Sequence, residues 1–189
     1  HPDRGRDDAA LGDRRIEHAR SAVCLLEAGG VPEDAADLFT IISEPENVRF
    51  LGGISASVEQ VRGYIESHIA ANAPHGLGFC AAILRSTGEL IGRAGLFLSI
   101  VEGKGEVELA YLFDKAHWGR GYASEAAKAF VQYGDKIGAG RMIAIVHPEN
   151  LASVRVAQKV GFRYERQLAD YKDFGDVGLY AREPDTNRQ

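Results

Sequence analysis

The segment Tyr111-Leu-Phe-Asp-Lys-Ala-His-Trp-Gly-Arg-Gly-Tyr-Ala-Ser-Glu-Ala126 carries the residue types and spacing best suited to chemistry. It reads as a strand, a loop with Gly119 and Gly121, and the start of a helix. Glycine reaches backbone conformations closed to other residues and lets a ligand approach the main chain, while the first amides of a helix point outward unpaired. Together these features suit a phosphate. Glu106 and Glu108 stand two positions apart just before the loop. On a strand both project from one face, where a carboxylate acts as a base or is simply solvated or paired.

Two other phosphate-binding designs fail on spacing. A dinucleotide fingerprint needs a third small residue and an acid about 20 residues later, at the end of the next strand. Here that strand ends in His147-Pro148. A Walker loop needs Gly-Lys-Ser/Thr, which is missing, and three antiparallel strands precede the loop, which neither fold supplies. Cys24 and Cys80 lie in apolar runs with no histidine beside them, so buried free thiols are expected rather than a disulfide framework or a covalent nucleophile. His68 and His147 have no partners at ligand spacing, and no metal is expected. His117, beside the loop, is expected to be exposed, and Trp118 to anchor the loop by packing.

The elements that position these residues follow from apolar periodicity. Ser21 to Glu27 reads as a strand, and Pro32-Glu33-Asp34 opens a helix through Ile42 that stops near Pro45. Ser57 and Gln60 form a capping-box pattern before Val58, Val61, Ile65 and Ile69, a second helix reaching Asn72. Phe79–Arg85, Leu90–Ile100 and Glu106–Phe113 are apolar runs joined by tight turns, an antiparallel meander. A helix over Ala123–Ile137, a strand over Met142–Val146, a helix over Leu151–Val160 and strands near Tyr164–Ala169 and Val177–Ala181 complete the chain. The expected architecture is α/β: a mixed, mostly antiparallel sheet of about seven strands flanked by about four helices.

The chain has 189 residues, 45% hydrophobic and 26% charged, which fits one domain, read here as residues 19–182 between tails at 1–18 and 183–189. Twenty-two Lys and Arg stand against 27 Asp and Glu, a net charge of −5 with both signs interspersed. That composition argues against a nucleic-acid-wrapping surface, and no apolar stretch reaches the roughly 18 residues of a membrane span. The start lacks a signal peptide's apolar middle, so a cytoplasmic protein is expected, monomer or homodimer.

Two motifs together resemble the GNAT superfamily of acetyl-CoA-dependent N-acyltransferases. The family's Gln/Arg-x-x-Gly-x-Gly/Ala signature falls on Trp118-Gly119-Arg120-Gly121-Tyr122-Ala123, with Trp118 at the Gln/Arg position as in the Rim-type branch that acetylates ribosomal-protein N-termini. The second segment, His147-Pro-Glu-Asn150-Leu-Ala-Ser153 through Lys159-Val-Gly161-Phe162, is similar to that branch's Asn-x-x-Ser…Lys-x-Gly-Phe.

The resemblance implies acetyl-CoA as co-substrate, with Trp118, Gly119, Arg120, Gly121, Tyr122 and Ala123 around its pyrophosphate and main-chain groups of Leu112 and Phe113 against its pantetheine. Asn150 would bond the pantetheine, cap the following helix, or both; Ser153 would reprotonate or orient the leaving thiolate. Many relatives carry a tyrosine seven residues after this asparagine, where this chain has Ala157. Glu108 stands where similar proteins often place a base.

The first two helices and the loop Ala73-Pro74-His75-Gly76 would form the acceptor wall, with Glu44, Glu46 and Asn47 either meeting a cationic acceptor or forming a solvated helix end. The acceptor implied by the resemblance is a primary amine: a protein N-terminus, or a small amine such as an aminoglycoside, a polyamine or an amino acid. A non-catalytic acyl-CoA-binding module is the alternative of another class. An α-amine of pKa ~8 is already about a tenth neutral at pH 7, so a modest base suffices for it.

Overall fold

The computed structural model describes residues 15–16, 23–26, 32–51 and 57–184. Among the described residues, eight strands form one sheet: β1 (Arg15–Ile16), β2 (Val23–Leu26), β3 (Gly78–Leu84), β4 (Leu90–Val101), β5 (Lys104–Phe113), β6 (Met142–Val146), β7 (Arg163–Leu168) and β8 (Val177–Arg182). Their spatial order is β1-β2-β3-β4-β5-β6-β8-β7. Every neighbouring pair is antiparallel except β5 and β6. The extra strand relative to the sequence expectation is the two-residue β1, which pairs Arg15 with Leu26 inside the segment read as a tail. Residues 1–14, 17–18 and 185–189 of the expected tails lie outside the described residues.

Among the described residues, four helices cover the two faces: α1 (Ala35–Ile42), α2 (Val58–Asn72), α3 (Tyr122–Lys136) and α4 (Leu151–Lys159). Ser57 starts α2 as expected, its extended backbone leaving the hydroxyl free to accept from Gln60 N at 3.3 Å. Ala126, Ala127, Phe130 and Val131 recur at helical spacing and pack α3 onto Leu96, Leu109, Met142 and Ala144, the main core. α1 and α2 bury Ala35, Leu38, Val61 and Ile65 against each other. A third apolar group, Val101, Ile143, Leu168, Val177 and Leu179, lies at the β6–β8 end, with Tyr171 and Phe174 of the β7–β8 loop packed against it.

The feature that shapes the site is a parting of strands. β5 and β6 pair at Val107↔Met142 and Glu108↔Ile143 and no further, although β5 runs on to Phe113 and β6 to Val146. β5 stays attached to β4 along its whole length, from Val101↔Lys104 to Gly92↔Phe113. At Gly92 the two backbones approach so closely that an added Cβ would stand 2.2 Å from Leu112 O. Gly92→Ala is therefore expected to destabilise the protein by about 2 kcal/mol, read as a lower denaturant midpoint at unchanged slope.

Candidate active site

The loop between β5 and α3 is built to leave amides exposed. Gly119 (φ 75°) and Gly121 (φ 89°) both adopt left-handed conformations, and an added Cβ at either would meet nothing within 4 Å. Gly121 occupies the N-cap of α3 without a capping side chain, and the first main-chain bond back to it is Glu125 N to Gly121 O at 3.0 Å. Among the described residues, no main-chain N–H from Gly119 to Ser124 donates to a protein acceptor. These groups, at the positive end of a 15-residue helix, form an anion cradle.

Trp118 closes the loop on itself: its indole Nε1 donates to Phe113 O at 2.8 Å, while the ring remains 52% exposed. Asp114 Oδ1 accepts from Ala116 N and caps the short turn at Lys115–His117. His117 differs from its expectation. Its side chain is only 10% exposed, Nε2 lies 3.5 Å from Glu89 Oε1, and Nδ1 is buried without a partner. The β3–β4 turn supplies that carboxylate, a neighbour distant in sequence.

The strand ladder decides which main-chain groups line the cleft. Asp114 N donates to Ile91 O, so in this antiparallel register Leu112, Ala110 and Glu108 direct their N–H and C=O toward β4. Leu109, Tyr111 and Phe113 direct theirs toward the opening where β6 has parted. The main-chain groups of Leu112, expected to face the cleft, are therefore spent on the ladder, and those free to face the opening belong to Leu109 and Tyr111. Leu112 is a buried ladder residue opposite Arg93, and the Phe113 carbonyl is already engaged by Trp118.

Across the opening, Asn150 caps α4, its Oδ1 accepting from Ser153 N at 3.1 Å. The half-buried Ser153 also receives, at its carbonyl, the hydroxyl of Tyr111 at 3.1 Å. Burial pushes the Tyr111 phenol up to about 12, so it stays a neutral donor. Ala157, where many similar proteins carry tyrosine, is fully buried. Tyr111 brings a phenol from β5 to Ser153, in the first turn of α4.

Glu106 and Glu108 share a sheet face but not an environment. Glu106 lies 3.4 Å from Arg141, which also holds Glu165 at 2.8 Å and Glu183 at 3.0 Å. It is one acid of an ion-paired cluster. Glu108, at the last residue where β5 and β6 pair, is half-buried, and burial pushes its carboxyl up to about 7 against the opposing hydrogen bond from Ser99 and the charge of Lys172. Ser99 is buried on β4, and Lys172 sits on the β7–β8 loop with its ammonium 4.8 Å from the Tyr171 ring. Neither was singled out from sequence, because each depends on a strand pairing or loop fold.

The other expected acceptor contacts serve the scaffold. Lys115 lies 3.3 Å from Glu44 and 3.7 Å from Glu46. Asn47 is buried, donating to Ile41 O and Asp114 Oδ1 and accepting from Lys115 N at 2.8 Å. All three tie the segment after α1 to the loop after β5. The turn at Ala73–His75 is held against α3 by Tyr133 Oη donating to Gly76 O at 2.6 Å. His147 packs on Phe50, ring centroids 5.1 Å apart, and Cys80 is buried. No group of three or more metal-ligating side chains occurs among the described residues, and no described helix is long and apolar enough to cross a membrane.

Parted strands beside exposed amides leave a slot whose chemistry suits an extended, phosphate-bearing ligand. Residues 26–163 match the family model described as "Acetyltransferase (GNAT) domain". The chain belongs to the GNAT acetyltransferase family. It is 30% identical over 151 residues to the protein YkkB of Bacillus subtilis (strain 168), covering 79% of this chain and 86% of YkkB. It is 31% identical over 142 residues to N-acetyltransferase p20 of Bacillus licheniformis, covering 74% of this chain and 79% of p20. The fold is also that of RimL, a ribosomal L7/L12 alpha-N-protein acetyltransferase solved in complex with coenzyme A: TM-score 0.74 at 18% identity, covering 92% of this chain and 99% of RimL. This GNAT enzyme is an acetyl-CoA-dependent N-acetyltransferase.

Proposed function

We propose that the enzyme acetylates the N-terminal α-amine of a peptide, with Glu108 as the base and Ser153 at the departing sulfur. The observation that carries this reading is the position and environment of Glu108: beside the cleft, without the arginine that neutralises Glu106, and with its carboxyl raised to about 7. Such a group is about half ionised at neutral pH and can take a proton from an α-ammonium of similar pKa. A lysine ammonium near ~10.4 would ask far more of it.

The main-chain groups of Leu109 and Tyr111 receive the pantetheine by strand addition, and Gly119–Ala123, with the Arg120 side chain, hold the pyrophosphate. Glu108 takes the α-ammonium proton and releases it to water; the neutral nitrogen then attacks the thioester carbonyl carbon, its surplus proton passes to the Glu108 carboxylate, and the C–S bond breaks to release a thiolate that takes its proton from solvent. The Ser153 hydroxyl donates toward the departing thiolate at the capped end of α4, with Asn150 fixing that end. The likeness to RimL supports a protein α-amine at the level of the fold.

Free-thiol release from acetyl-CoA, measured over short peptides, lysine side-chain analogues, polyamines and aminoglycosides, tests this. Peptides with a free N-terminus are expected to be turned over and their Nα-acetylated forms not. Preference for aminoglycosides or polyamines contradicts the reading.

A further inference from the structure

A row of rings leads away from Glu108 across the sheet face. Phe97 lies directly opposite Glu108 on β4. Its ring centroid is 5.1 Å from Phe79 and 5.2 Å from His68, and the last two are 4.6 Å apart. Tyr64 continues the row 5.4 Å from His68. The row ends at Arg93, whose guanidinium carbon stands 4.3 Å from the Phe79 ring centroid and 4.9 Å from that of Tyr64.

Arg93 differs from the other arginines held within the fold. Arg141 and Arg182 are each matched to carboxylates, the latter to Asp135 at 2.7 Å. Arg93 has no ion pair among the described residues, and its buried Nε has no hydrogen-bond partner. It lines a pocket between α1, α2 and the sheet together with Leu38, Tyr64, His68 and Phe79; Asp34, also in that lining, makes interactions of its own. A half-buried guanidinium with no carboxylate partner and a buried, unused Nε donor beside apolar rings is incompletely compensated, and an anion supplies what it lacks.

We propose that this pocket selects the acceptor: the amine substrate carries a carboxylate, which pairs with Arg93 while its apolar body lies along Phe79, His68 and Phe97 and its amine reaches Glu108. The proposal rests on the transfer reading in that Glu108 marks the amine end. Four residues of β4 separate the position opposite Glu108 from Arg93, roughly 13 Å of strand, and side-chain reach shortens that to about two or three peptide residues. The carboxylate therefore belongs to an acidic side chain near the third residue of a peptide or to the C-terminus of a tripeptide. Burial and the neighbouring Arg93 charge push the His68 imidazole down to about 4, so the ring is neutral at pH 7.

Calorimetric titration of the coenzyme A-saturated protein with two matched pairs tests the assignment. One pair is a hexapeptide amide with Glu or Gln at its third position; the other is glycyl-phenylalanyl-glycine as acid or amide. Wild type is expected to bind the charged member of at least one pair about tenfold more tightly, and which pair shows it identifies the source of the carboxylate. Arg93→Gln should reduce that ratio to about one, and Arg93→Lys, retaining charge without the planar fork, should leave it intermediate. The wild-type comparison stands even where a variant fails to fold. Equal binding within both pairs, no binding by either, or a ratio unchanged in Arg93→Gln overturns the proposal. Turnover separates the two readings. Selective binding without thiol release sinks α-amine transfer and leaves the pocket; thiol release at equal KM for acid and amide sinks the pocket and leaves transfer.

Discussion

Glu108→Gln is expected to lower kcat about a thousandfold while the dissociation constant for acetyl-CoA stays within about twofold of wild type. Glu108 lies on the face of β5 directed away from the α3 and α4 core, and the main-chain groups that Leu109 and Tyr111 turn toward the opening do not depend on its charge. The pH profile carries the sharper test. With the carboxyl raised to about 7, kcat/KM in wild type rises through that value as pH increases. The variant loses this limb, and only the titration of the acceptor amine remains.

Stability moves the other way. A carboxyl whose folded pKa lies above its ordinary 4.5 binds more protons folded than unfolded between the two values, so wild type loses stability as pH rises from about 4.5 to 7. The glutamine carries no such penalty, and Glu108→Gln should melt no lower than wild type at pH 8. A thousandfold loss in a better-folded protein cannot be charged to unfolding.

The second large effect concerns the cradle. Gly121→Val is expected to weaken acetyl-CoA binding about a hundredfold, leaving kcat at saturation near the wild-type value. At φ 89° a β-branched residue is strained, and because an added Cβ meets nothing within 4 Å, the loop relieves the strain by turning its backbone. That rotation misaligns the amides of Tyr122 and Ala123, which the proposed site uses as charge-assisted donors to the diphosphate. Calorimetry with coenzyme A reads the effect directly, and an affinity within about threefold of wild type would contradict it.

The glycine loop, the meander before it and the helix after it were legible in sequence because each rests on local rules. Gly119 and Gly121 take the left-handed conformations their residue type allows, and Ser57 and Asn150 cap the helices they precede. Glu106 and Glu108 share a face because strands alternate. What separates them, Arg141 beside one and Ser99 beside the other, requires knowing which strands are neighbours. The exchange of Leu112 for Leu109 and Tyr111 has the same origin: residue alternation is visible in one strand, but the phase of its hydrogen bonds is set by the partner. His117 is enclosed with Glu89, and Glu44 and Glu46 are drawn to Lys115, through contacts spanning tens of positions. Arg93 was passed over because an arginine on a strand is unremarkable until its rings and its missing carboxylate are seen together.

Amide chemical-shift mapping during a coenzyme A titration tests the central claim most directly. The N–H signals of residues 119–124 are expected to shift together and saturably, ahead of any on the far side of the sheet, with the shifts much reduced when the diphosphate is absent, as with pantetheine. Should coenzyme A bind tightly while those six amides stay where they were, the diphosphate rests elsewhere and the functional account falls.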